Sequence, residues 1–318
     1  MFNSRCITLI ALVIIKLMSV SKYSPYYYGG QSVGEGVAIL AHNNVVIAVR
    51  QPSGKIITGV QPRSSIISKK LVNVPVIRGI AIITNTMTSG VKNALYAKWL
   101  AKEEKLVQNF SYISSGAIFK TIMISAVIFI LLFLVLPLYL TALFGDRINS
   151  NVAFHIFEGI IRFAIVILCI KILGFNRNIK RFFSYHGAEH KVINALEAGN
   201  SMETANVKKY SIKHPRCSSG LIFVVMVIAI FVFALVGIHS LWIMLLARVI
   251  LIPLIVGIGY EVILLFARYN NNKIIRFIQS PVQYFQSLVT GEPDDQQIEV
   301  AVTAMKKTLE LDGFEEKI

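Results

Sequence analysis

Of 318 residues, 55% are hydrophobic and only 15% charged, more apolar surface than one soluble core can absorb, which excludes an ordinary soluble enzyme and points to lipid. The formal charge of +15 would suit nucleic acid, but the basic residues are scattered along the flanks of apolar runs rather than clustered with aromatics, so the expected partner is the lipid bilayer and no nucleic acid is expected. Cys6, Cys169 and Cys217 stand at unrelated spacings with no CxxC pair, so no disulfide framework is legible.

Residues 1–28 form an apolar extension. Ile7 to Val20 is short and is interrupted by Lys16, with no small-residue cleavage site after it, so it reads as an uncleaved signal-type, interfacial or extra segment. Residues 29–116 read as a small soluble α+β domain. Apolar alternation in "GVAILAHNNVVIAVRQPSGKIITGV" brackets the turn signals Asn43-Asn44 and Pro52-Ser53-Gly54, which predicts short antiparallel strands. From Val76 to Glu104 the spacing relaxes toward 3.6 residues, which predicts a helix lying against the membrane or its hairpins.

Residues 117–268 predict a membrane domain of about four helices. Thr121 to Phe144 carries no charge and is long enough to cross a hydrocarbon core of about 30 Å. Ile156 to Gly174 is a weaker span because Glu158, Arg162 and Lys171 interrupt it, and such charges face protein or snorkel. Gly220 to Ile238 and Leu241 to Ala267 form a tight hairpin, the second carrying Arg248 and Glu261. Eight Lys/Arg lie in the loop 175–219 and only Arg147 lies between Gly145 and His155, so the positive-inside rule puts that loop and both termini on the cytoplasmic side of the cell membrane. Residues 269–318 are an amphipathic cytoplasmic tail, in which "EPDDQQIEVAVTAMKKTLEL" has acids first and bases late, matching a helix dipole. The fold class is thus a multipass α-helical membrane protein with a small N-terminal α+β domain and a tail helix.

The chemistry-bearing segment is "YHGAEHK". His186 and His190 are four residues apart, on one helix face, with Glu189 beside them, an H-x-x-E-H pattern. In an inverted zinc-peptidase arrangement the imidazoles hold zinc, the glutamate activates a water, and a further ligand comes from a distant helix. Topology nominates Glu261, about 30 Å down a helix that starts on the outer face. The same argument excludes Glu158, whose expected partners are Arg248 or Arg162. A rival shell draws on "KHPRCSSG": His186, His190, His214 and Cys217 would close a structural four-ligand site, whereas an open position with Glu189 free would be catalytic. In the bland alternative Glu189 pairs with Lys191 or Arg181, and Glu261 with Lys171. His42, His155 and His239 read as ordinary polar residues. "GGQSVGEG", with four glycines in eight residues, lacks the Lys-Ser/Thr ending of a phosphate loop and reads as a close-packing turn with Glu35 a polar anchor or extra ligand.

Six motifs in order, "GGQSVGEGV", "VPVIRGI", "YHGAEHKVINALEAG", "VKKYSIKHPRC", "GYEVI" and "EPDDQQIEVA", resemble the YqhQ-like bacterial membrane family, a domain of unknown function, from about Gly29 to Leu311. The resemblance implies a membrane location and emphasises His186, Glu189, His190, Glu197, His214, Arg216, Cys217 and Glu261, but no reaction. The chain departs from the usual pattern at Gly34 and at Ser218-Ser219-Gly220. The leading expectation is a zinc-dependent hydrolase of a peptide or lipid-linked ester. The alternatives are a non-enzymatic scaffold or assembly factor, and an ion or solute transporter, which with four spans would require a homo-oligomer.

Overall fold

A computed structural model describes residues 28–63, 74–102, 115–148, 150–238 and 240–314. The apolar extension before Tyr28, with Cys6, lies outside the described residues, as does His239. Four strands come first: β1 (Gly29–Ser32), β2 (Gly36–Leu40), β3 (Asn44–Arg50) and β4 (Ile56–Pro62). They pair antiparallel in the order β1-β2-β3-β4; the alternation and the two turn signals predict the strands from β2 onward, whereas β1 corrects the reading of "GGQSVGEG" as a turn throughout, because Gly29–Ser32 pair with Val37–Leu40. Helix α1 (Ile77–Leu100) follows, then α2 (Ser115–Ile130), which runs through a π-helical turn (Leu131–Val135) into α3 (Leu136–Ala142). After them come α4 (Asn151–Gly174), α5 (Arg177–Glu197), the short α6 (Thr204–Val207), α7 (Ser218–Val236), α8 (Leu241–Arg268), α9 (Lys273–Gln286) and α10 (Asp295–Leu311).

Three helical stretches are long and apolar enough to cross a membrane: Phe119–Ala142, Ser218–Val236 and Leu241–Arg268. They leave large apolar side chains on their outer surfaces, among them Phe119, Leu131, Phe231, Leu235, Trp242 and Ile250. An uncovered apolar surface of that extent is what lipid, rather than water, solvates.

The sheet, the end of α1, α5 and α10 make a second body. One face of the sheet, through Val37, Ile39 and Ala48, packs on Tyr185, Ala188, Val192 and Ala195 of α5 and on Ile298, Ala301, Val302, Met305 and Leu309 of α10. The opposite face, through Ala38, Val45, Ile47 and Val49, covers Ala97 and Leu100 at the end of α1. The segment read as a tail is therefore a core helix. Its apolar stripe is satisfied by the sheet, and a capping box between Asp294 and Gln297 starts it. The loop 175–219 is likewise ordered by α5, whose start is capped by Asn176 accepting from Asn178 N at 2.9 Å.

Helix α1 links this body to the membrane helices. Gly79 packs against Gly257 and Tyr260 of α8, so close that a Cβ on Gly79 or Gly257 would press on backbone or side-chain atoms there. At the start of α1, Val76 has φ of +67°, a strained position for a β-branched residue, and its N–H donates to Glu261 Oε1 at 3.1 Å.

Candidate metal centre

Helix α5 presents His186 and His190 on the face turned toward α7, as the four-residue spacing requires. Each ring is oriented by a backbone carbonyl: His186 Nδ1 lies 3.0 Å from Val289 O, and His190 Nδ1 lies 2.5 Å from Ile212 O. The approach of Val289 depends on Gly187, where a Cβ would overlap the Gly291 carbonyl, and on Gly291 N donating to Phe183 O at 2.8 Å. Ile212 is brought in by a lacing of α5 to the following loop. Lys191 Nζ donates to Lys208 O at 2.9 Å and Tyr210 O at 2.8 Å, and Asn194 Nδ2 donates to Ser211 O at 2.8 Å and Lys213 O at 3.0 Å. With Nδ1 committed to a carbonyl, each imidazole turns Nε2, the atom that could ligate once deprotonated, to the space between them.

Cys217 completes that space. It is the N-cap of α7, and its Sγ lies 3.3 Å from His186 Nε2, 3.0 Å from Ser219 Oγ and 3.4 Å from the Ser219 N–H. The ligand atoms of His186, His190 and Cys217 all lie within 4.8 Å of one another, the group of this kind found among the described residues. Ligand bonds of about 2.0–2.3 Å in a tetrahedral shell put neighbouring donors about 3.3–3.8 Å apart, so the His186–Cys217 spacing suits a shared ion. Glu189 adds a carboxylate, with Oε2 3.8 Å from both Nε2 atoms. Its side chain is covered by Gly30 of β1, where a Cβ would overlap it.

The electrostatics favour a thiolate. Burial pushes the Cys217 thiol up, but hydrogen bonds and charge from His186 and His190 outweigh burial and hold it well below the usual thiol range. Burial pulls His190 down while Glu189 and Cys217 hold it up, to about 9. His186 is likewise raised, its burial overcome by Cys217. His214 goes the other way, to about 4, because burial and the charge of His190 disfavour a second cation.

The structure divides the sequence-predicted ligands. His186, His190, Cys217 and Glu189 come together, a mixture of the two shells weighed from sequence. Glu261 does not join them, which corrects the expectation that topology brings it to the ion. Both its oxygens are taken by the Arg78 guanidinium, with Arg78 Nε to Oε1 at 2.7 Å, and both side chains are buried. A carboxylate neutralised bidentately by a buried arginine is committed to holding α1 on α8. His214 also stays outside the three-residue group. Its backbone is held by Gln286, which accepts from His214 N at 3.2 Å and donates to His214 O at 3.1 Å. Its Nε2 lies 3.6 Å from Glu197, and Glu197 itself pairs with Arg216. The bland partners fall elsewhere too: Lys191 pairs with Glu292 at 2.7 Å, and Arg181 forks onto Glu35 at 2.6–3.1 Å. Glu35 is thus an anchor of β2's entry onto α5. The carbonyls of Val289 and Ile212 were not singled out from sequence, and Ser219 was noted only as a departure from the family pattern. The glycines of "GGQSVGEG", read as a close-packing segment, include Gly30, which packs on Glu189.

A separate buried cluster lies between α4 and the candidate span α8. Glu158 accepts from Arg162 one turn on, from Arg248 Nε at 3.1 Å, and faces His155 Nδ1 at 3.0 Å. Both expected arginine partners are therefore used at once.

Residues 74–311 match the family described as "Protein of unknown function (DUF1385)". The chain is 31% identical over 312 residues to "Uncharacterized protein YqhQ" of Bacillus subtilis (strain 168), covering 94% of this chain and 97% of that protein. No solved structure matches the chain. The segments joined at the site, from β1 to α10, are the same ones that carry the YqhQ-like motifs, and the chain belongs to the DUF1385 family.

Proposed function

We propose that this protein is a membrane-embedded metal protein in which His186, His190 and Cys217 are ligands and Glu189 is the general base of a hydrolytic site. The observation that carries the reading is the pair of Nδ1-to-carbonyl hydrogen bonds, which leaves both Nε2 atoms converging with one buried sulfur. Two ring nitrogens and a thiolate brought this close need positive charge between them, which protons on the rings supply in the free site and a metal ion would supply in their place. Two imidazoles, a thiolate and an adjacent carboxylate are a donor set that suits zinc, with Cys217 favouring a borderline-soft ion over magnesium or calcium. A zinc ion held there would supply Lewis acidity. Glu189 stands within reach of a water at the site, buried and, among the described residues, not paired with a lysine or arginine, and is placed to take its proton. The substrate class would be a peptide or a lipid-linked ester.

The membrane arrangement belongs to the same proposal. Helix α4 serves as a fourth span: at 24 residues it is about 36 Å long, and Glu158 and Arg162 are buried against each other and Arg248 while Ile160, Leu168 and Ile172 face outward. The basic loops then put the second body, with the metal centre, in the cytoplasm. Glu158 and Glu261 are both satisfied by arginines, which argues for interhelix locks rather than a solute path.

The test is elemental analysis of the full chain purified in detergent. Stoichiometric zinc in the wild type, lost in His186→Ala, His190→Ala and Cys217→Ser while each variant remains monodisperse, supports the reading. A well-folded wild type that takes up no transition metal, even after incubation with Zn2+ or Co2+, overturns it.

A further inference from the structure

Helix α9 is built on three sides. Its buried side, Gln279, Val282, Phe285 and Gln286, faces protein. Val282 packs with Leu221, Val224 and Ile263 at the base of α7 and α8, and Gly220 lies so close that a Cβ there would press on it. Gln286 holds His214 through both its amide atoms, and Gln279 Nε2 donates to Pro215 O at 3.4 Å. The second side is polar and exposed, with Lys273, Arg276 and Ser280. The third side is Ile274, Phe277, Ile278, Pro281 and Tyr284, spaced three and four residues apart and therefore in one stripe. Phe277 is 79% exposed, Tyr284 71% and Ile274 69%.

Water does not favour such a stripe, and its position says what covers it. Helix α8, a candidate span, ends at Arg268, and Asn272 already caps α9, accepting from Ile274 N at 2.8 Å. The intervening Tyr269–Asn272 turn, closed by Asn272 N donating to Tyr269 O at 2.9 Å, reaches no more than about 14 Å even if extended. The stripe therefore starts where the hydrocarbon ends. No acidic residue occurs from Arg268 to Gln286, nor from Lys171 to Phe183 around the exposed Phe175, whereas both stretches carry several lysines and arginines. That charge complements anionic phospholipid headgroups.

We propose that α9 is an in-plane interfacial helix: its Ile274–Tyr284 stripe lies in the headgroup and upper acyl region of an anionic bilayer, while its opposite side positions the His214–Cys217 loop. Bilayer contact and metal-centre geometry are thereby mechanically joined, and the centre works at the height of lipid headgroups. The inference rests on α8 being a span and extends the metal reading, but its principal readout needs no metal. Gln279 and Gln286 are positioning residues here, acting through the loop that ends in Cys217.

The experiment uses the full chain in nanodiscs of phosphatidylcholine and phosphatidylglycerol, with acyl chains brominated or not. In a Trp99→Phe, Trp242→Phe background, Phe277→Trp reports the apolar stripe and Arg276→Trp the polar side. Burial of the stripe by about 5–10 Å predicts bromine quenching of Phe277→Trp at least about twofold stronger than of Arg276→Trp, with acrylamide accessibility in the reverse order. Acrylamide access to Phe277→Trp equal to that of Arg276→Trp, without bromine quenching, overturns the proposal. If the background does not fold, benzoylphenylalanine at position 277 in the otherwise native chain replaces it. Photocrosslinking should then add the mass of one phospholipid, and a yield of protein–protein adducts alone overturns the proposal. Zinc content measured on the same samples separates the two readings: quenching without zinc sinks the metal centre alone, and zinc without quenching sinks the interfacial helix alone.

Discussion

His186 Nε2 lies 3.3 Å from Cys217 Sγ across 31 positions of sequence, and nearly every feature around the site serves that approach. Gly187 admits the loop that orients one ring, Asn194 and Lys191 bind the loop that orients the other, and Gln286 holds the residue three positions before the thiol. A group so heavily positioned has its geometry set before any ligand arrives, the condition for tight binding at low reorganisation cost.

Metal binding should release a proton below pH of about 9. His190 is held up to about 9 by Glu189 and Cys217, so at neutral pH the metal-free ring is charged and must lose its proton to ligate. Cys217 is held well below the usual thiol range and contributes none. Apparent Zn2+ affinity should therefore rise at least about tenfold per pH unit up to about pH 9, more steeply where the raised His186 ring is also charged, and then flatten. Calorimetry in buffers of differing ionisation heat measures the proton directly, and affinity independent of pH between 6 and 9, that is, over about three units, would refute the charged resting state.

Glu189→Gln should keep the metal and lose the chemistry. The substitution preserves volume under Gly30, so zinc content and thermal stability stay close to wild type, while hydrolysis of a chromogenic acyl ester in mixed micelles falls by about 10²–10⁴-fold. Zinc lost along with activity would make Glu189 a ligand instead.

Gly30→Ala and Gly34→Ala are a matched pair. The first puts a Cβ into the Glu189 side chain, so it should cost about 1–3 kcal/mol and weaken metal binding by pushing that side chain against the His186 and His190 rings, 3.8 Å away. The second has open space but φ of +67°, so it should cost about 1–2 kcal/mol of backbone strain and leave the metal untouched. Denaturation midpoints with parallel zinc titrations tell them apart; equal effects on the metal would mean that β1 does not contact the site.

Glu261→Gln should destabilise without demetallating. Removing the acid takes the carboxylate charge away from buried Arg78, a cost of about 3–5 kcal/mol, whereas zinc stoichiometry in whatever remains folded should be unchanged. Arg78→Met combined with Glu261→Met should recover much of the loss, since an apolar pair needs no counter-charge. Zinc lost specifically in Glu261→Gln would return this residue to the ligand shell.

Local pattern was enough for part of this molecule. Uncharged runs long enough to cross a bilayer, alternation between two turn signals, and two histidines four residues apart are short-range features, and the candidate spans, the antiparallel strands from β2 to β4 and the shared face of His186 and His190 all follow from them. Membership of the family was also readable, because its motifs are linear strings. Long-range partners were not. Glu261 had the right depth to reach the histidines, yet depth along a helix does not specify azimuth, and Arg78 on another helix faces it first. The stripe of α10 is amphipathic whether it meets water, lipid or a sheet, and only the sheet's uncovered face, filled by Val37, Ile39 and Ala48, made it a core helix. Cys217 entered the site in place of Glu261 because the loop held to α5 through Lys191 and Asn194 brings the start of α7 over the two imidazoles, a distance that no spacing along the chain encodes.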